Sequence, residues 1–75
     1  IHCYIELKEA EKTTSTIATI ESLYPSAKVA EVSSAKSGLP GSVGLSLALS
    51  LDETDQKEYL NKLNSLENVL FIVEE

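Results

Sequence analysis

Arginine, methionine and tryptophan are missing from this chain altogether, and cysteine, histidine and phenylalanine occur once each. With no arginine and twelve acidic residues against six lysines, the net charge at pH 7 is −6. Nucleic acids and anionic membrane surfaces are bound through excess positive charge, so neither is expected as a partner. A lone Cys3 forms no internal disulfide, which points to a reducing, cytoplasmic setting. No apolar run approaches the roughly 18–20 residues of a spanning helix, and no signal peptide is read, so this stretch is not expected to insert into a membrane. Glycine and proline are scarce as well, and three of the five fall within Gly38–Gly41.

What is present is period-2 alternation. Over Val43 to Leu51, Leu45, Leu47, Leu49 and Leu51 alternate with Gly44, Ser46, Ala48 and Ser50. Only a strand sorts them this way, since a helix would scatter the leucines round its axis. The leucine row is expected to support helices, and the small row to leave the other face of the sheet open. Ile1 to Lys8 alternates too, with Ile1, Cys3, Ile5 and Leu7 inward and His2, Tyr4, Glu6 and Lys8 outward.

Between these strands, Ile17, Ile20 and Leu23 or Tyr24 recur at helical spacing. Thr13 or Thr14 is expected to cap that helix, and Tyr24-Pro25 to end it. Ala27 to Ser34 reads as a second, edge-like strand, followed by the loop Ala35 to Ser42. Asp52, Glu53, Thr54 and Asp55 suit the start of a second helix carrying Tyr59, Leu60, Leu63 and Leu66. The continuous apolar run Val69 to Val73 then reads as a strand buried on both faces.

The order β-α-β-β-α-β predicts an α+β, ferredoxin-like sandwich, with two helices on one face of a four-stranded antiparallel sheet in order 4-1-3-2. Its expected core is Ile5, Leu7, Ile17, Ile20, Leu47, Leu49, Leu60, Leu63 and Phe71. Seventy-five residues make one domain, 1–75, near the lower limit for a single core. A start at Ile1 suggests a piece of a longer protein.

That architecture hosts many functions, so each must be argued from residues. Acylphosphatase chemistry needs an arginine in a phosphate-cradling loop, and there is none. Metal chaperones use a Cys-x-x-Cys pair, whereas Cys3 stands alone and His2 faces the opposite way. RNA-recognition sheets need aromatic rings on both central strands; Tyr4 offers one, but Gly44 to Leu51 offers none. Asp52, Glu53 and Asp55 lack the ligand spacing of a calcium loop and suit helix capping better. No acid–base pair, nucleophile or cofactor motif stands out, so neither catalysis nor a cofactor is expected.

The element order, together with the run Leu51-Asp52-Glu53-Thr54 to Lys62-Leu63-Asn64-Ser65-Leu66-Glu67-Asn68-Val69, resembles ACT and ACT-like regulatory domains. Amino-acid-binding members of that family carry an Asp-x-Pro-Gly-x-Leu turn after the first strand. Lys8 to Ile17 has neither proline nor glycine there. The architecture and long third strand also resemble the C-terminal cytoplasmic domain of MgtC/SapB-type membrane proteins. Both likenesses imply a non-catalytic domain: either a regulatory or assembly module sensing a small-molecule effector, or an accessory domain of a membrane protein.

The open face is where a partner is expected. Gly44, Ser46, Ala48 and Ser50 permit close approach, and Tyr4, Leu70 and Ile72 add apolar area beside them. A patch of this kind suits a homodimer, or docking on another domain of the parent chain. A plain solvated face would suit the serines too.

Overall fold

The computed structural model describes all residues 1–75. Its elements are β1 (His2–Leu7), α1 (Thr13–Leu23), β2 (Lys28–Ser34), β3 (Val43–Ala48), α2 (Glu53–Asn64) and β4 (Val69–Glu74), with a short 3-10 turn, Ala10–Lys12, leading into α1. One antiparallel sheet runs β2-β3-β1-β4, the ferredoxin-like order with the cleanest alternating strands at its centre. No helix is long and apolar enough to cross a membrane.

The core lies where the alternation places it. Cys3, Ile5 and Leu7 of β1 and Leu45 and Leu47 of β3 are all at most 1% exposed, and Ile20 of α1 and Tyr59 and Leu63 of α2 close on the same cluster. Both helices therefore cover one face. Leu49 lies beyond the end of β3, yet its N–H donates to the Ile1 carbonyl at 2.8 Å and its side chain stays in the core. Ile17 is half-buried against that core.

Three expectations need correction. Leu60 is 39% exposed and outside the core; Tyr59 and Leu63 carry the buried stripe of α2, and Leu60 lies at its edge. Phe71 and Ile72 exchange faces relative to the prediction. The pairing shifts between Glu6 and Leu7, so that Leu7 opposes Val69 while Glu6 opposes Phe71, and Leu70 is the extra residue of a bulge. That extra residue turns Phe71 to the helix-free face, and puts Ile72, opposite Ile5, against the core.

The third correction concerns capping. α1 has no side-chain N-cap, because the preceding 3-10 turn supplies its lead-in. Its first-turn hydroxyls donate to carbonyls instead of accepting from the helix's own amides: Thr13 Oγ1 bonds the Ala10 carbonyl, and Ser15 Oγ and Thr16 Oγ1 both bond the Lys12 carbonyl. α2 does have the expected cap, with Asp52 Oδ1 accepting from the Asp55 N–H at 2.8 Å.

Candidate functional site

The helix-free face of the sheet is where polar and aromatic groups converge. Strand register assigns its rows. His2 lies level with Ala48 and Lys28, Tyr4 with Ser46, Glu31 and Val73, and Glu6 with Gly44, Ser33 and Phe71. Directly opposed residues in an antiparallel sheet share a face, so these side chains form one surface.

Half of that surface is not open. Tyr4 is 3% exposed and Glu6 is 0% exposed, although both belong to the row expected to face solvent. What covers them is the β2–β3 connection. The Lys36 N–H donates to Tyr4 Oη at 2.9 Å, and Tyr4 Oη donates to Glu6 Oε1 at 2.8 Å. The Ser37 N–H reaches Glu6 Oε1 at 3.2 Å, and Ser37 Oγ donates to Glu6 Oε2. The carboxylate thus accepts from three donors on two segments distant in sequence. The Lys36 ammonium lies 4.5 Å from the Tyr4 ring centroid and 3.4 Å from Glu75.

The loop can double back because Gly38 and Gly41 adopt φ of 75° and 80°, a region that favours glycine. Gly44 is needed for a different reason. A Cβ there would stand 2.6 Å from Tyr4 Cε1 and Oη, so only glycine lets the phenol ring lie across β3. Phe71 packs beside the ring at 6.0 Å between centroids, tilted by 42°.

Donation from Ser37, opposed by burial and aided by Tyr4, holds the Glu6 carboxyl below the usual glutamate range. Burial, together with Glu6 nearby, pushes the Tyr4 phenol up even as the Lys36 amide pulls it down. The cluster is therefore an ionised carboxylate bonded to a neutral phenol, roofed by exposed Lys36 and Ser37.

The residues expected to form a contact surface separate accordingly. Tyr4 and Gly44 are buried beneath the loop, while Ser46 and Ala48 remain half-exposed on the face. Ser50 lies past the end of β3, where its N–H and carbonyl both bond Ser26 Oγ. Leu70 is the bulge residue and Ile72 belongs to the core side. The residues that take their places on the helix-free face are Phe71, packed beside buried Tyr4, and Val73, which is half-exposed.

Elsewhere an open groove of about 430 Å³ runs between the β1–α1 link and the turn before β4, lined mainly by polar residues including Lys8, Lys12, Ser15 and Asn68. Asn68 pins its floor: Oδ1 accepts from the Glu9 N–H at 3.0 Å, and Nδ2 donates to the Glu9 carbonyl and to Thr16 Oγ1, both at 3.2 Å. A second hollow of about 290 Å³ lies at the opposite end of the sheet, beside His2, Lys28 and Ser50. No three His, Cys, Asp or Glu side chains gather in a metal-holding group. Cys3 is buried, and that burial, with Glu74 and Glu75 nearby, pushes its thiol up to about 11.

The Glu6 cluster was hidden from sequence reading. Its one signal is the coincidence of a strand glycine, Gly44, with an aromatic-x-acid pair, Tyr4 and Glu6, on the neighbouring strand. Comparison with protein-family models, with curated proteins and with solved structures finds no match to this chain.

Proposed function

We propose that this chain is a non-catalytic regulatory or assembly domain, ACT-like in its organisation, that makes its contact through the uncovered half of the sheet face. The observation that supports the reading is the half-exposed strip Ser46–Ala48 on β3, with Val73, also half-exposed, on the same face across β1. Small side chains there let a second surface approach the backbone closely, with an apolar residue at its margin. A homodimer about a two-fold axis, or docking on another domain of the parent protein, would use that strip. The groove at the β1–α1 link is the place for a small polar effector in this reading, because ACT-type domains present their effector turn between the same two elements. The buried polar groups at the floor of that groove, Asn68 and Thr16, are engaged in holding the fold together, which favours a binding module over an enzyme.

Sedimentation velocity on the chain, from low to high micromolar concentration, tests the assembly version. Ser46→Lys with Val73→Lys would place charge in the contact, and is expected to shift a concentration-dependent dimer to monomer while circular dichroism stays unchanged. A native chain that sediments as a monomer throughout removes the dimer.

A further inference from the structure

We propose that the segment Ala35–Pro40 is a strap that opens separately from the rest of the fold, latched by the Glu6 carboxylate, and that it controls access to the Tyr4–Gly44–Phe71 end of the sheet. The inference rests on how the strap is attached, and stands whether or not the face is a contact surface.

Attachment is polar and converges on two side chains. The strap's backbone and hydroxyl bonds to the sheet go to Tyr4 and Glu6, through the Lys36 N–H, the Ser37 N–H and Ser37 Oγ. Its one large apolar residue, Leu39, is 51% exposed and anchors nothing in the core. The Lys36–Glu75 pair is exposed and adds little. Beyond Pro40 the chain is tied down again, where the Gly41 carbonyl accepts from the Ala10 N–H at 2.8 Å and Ser42 Oγ donates to the Lys8 carbonyl at 3.3 Å. Gly38 lies within the strap and Gly41 at its far boundary, both in left-handed backbone with open space where a Cβ would go.

Closure therefore buries a carboxylate and a phenol hydroxyl, and the strap puts no large apolar side chain of its own into the core in return. Opening restores water to both, so the gap between closed and open is far smaller than the free energy holding the leucine core. What opening uncovers is the Tyr4 ring, which Phe71 flanks, beside a carboxylate and a side-chain-free stretch of β3 at Gly44. Facing Glu6 are Tyr4 from β1 and Ser37 from the strap, with Gly44 of β3, Ser33 of β2 and Phe71 of β4 level with it; the nearest charges on the face are Lys36, paired with Glu75, and Glu31.

Amide hydrogen exchange by NMR on the 75-residue chain decides the matter. The Lys36 and Ser37 amides are protected only by closure, whereas the amides pairing β1 with β3 report global unfolding. The two strap amides are expected to exchange at least about a hundredfold faster than the β1–β3 amides. Glu6→Gln and, independently, Ser37→Ala at the exposed end should each speed the remaining strap amides by about tenfold or more, relative to the β1–β3 amides of the same variant. Strap amides that exchange in step with the β1–β3 amides overturn the proposal. So does a strap whose exchange neither variant changes.

Discussion

Gly44→Ala separates the effect of local propensity from the effect of packing, because the two predict opposite signs. Glycine within a strand is destabilising by roughly 0.5–1 kcal/mol relative to alanine, and Gly44 has no left-handed φ to protect it. On propensity alone the substitution stabilises. The structure puts the new methyl 2.6 Å from Tyr4 Cε1 and Oη and 2.9 Å from Cζ. Carbon–carbon contact is comfortable at about 3.5–4.0 Å, so the ring must retreat by roughly an ångström. It has little freedom to do so, since its hydroxyl is bonded to Glu6 at 2.8 Å and accepts from the Lys36 N–H at 2.9 Å.

Overpacking of this kind costs about 1–3 kcal/mol, and loss of the phenol's hydrogen bonds adds to it. After the propensity gain is subtracted, a net loss of about 1–2 kcal/mol remains, which for a domain this small lowers Tm by on the order of 10 °C. Thermal and urea unfolding followed by circular dichroism measure it. In a Tyr4→Leu background the same substitution should become neutral or stabilising, because the clashing ring is gone. A rise in Tm for Gly44→Ala in the otherwise native chain would refute the placement of Tyr4 across β3.

Other changes probe the remaining layers. Leu47→Ala empties a fully enclosed site between β3 and the helices and should cost about 2–5 kcal/mol in urea titration; a loss under 1 kcal/mol would contradict its burial. Tyr24→Phe should be neutral or stabilising by up to about 1 kcal/mol, because the Tyr24 hydroxyl is buried without a partner; clear destabilisation would mean that the hydroxyl is bonded. On the acid side, Glu6 is held below its ordinary value of about 4.5, chiefly by Ser37. Its contribution is therefore complete above that value and disappears as pH falls through the lower folded value, so Glu6→Gln should flatten the acid limb of a stability–pH curve. On the alkaline side, Cys3 rises from 9.0 to about 11, so its contribution is complete below pH 9 and fades towards 11; Cys3→Ala should remove that limb.

Alternation in a strand states which residues share a face, and says nothing about whether that face is covered. This is why the leucine row of β3 and the inward row of β1 were legible, with the order of the sheet following from the order of elements. The same rule left Tyr4 and Glu6 looking like solvent-facing residues, since their burial comes from a loop some thirty positions away in the sequence. β4 fails for a different physical reason. Val69 to Val73 is apolar at every position, so the run carries no period to fix its parity, and one bulge at Leu70 is enough to exchange Phe71 with Ile72. The two gaps meet at one place. Phe71 faces the covered half of the sheet because of that bulge, and there it flanks the ring that Gly44 admits and the strap roofs. Three local irregularities thus converge on Tyr4: a bulge in β4, a glycine in β3 and a glycine-hinged connection. Each departs from the regular pattern that specifies the core, and only the bulge also serves that core, by setting Ile72 against it. The uncovered part of the helix-free face, at Ser46, Ala48 and Val73, is consequently where sequence change alters the surface with the least disturbance to how the chain folds.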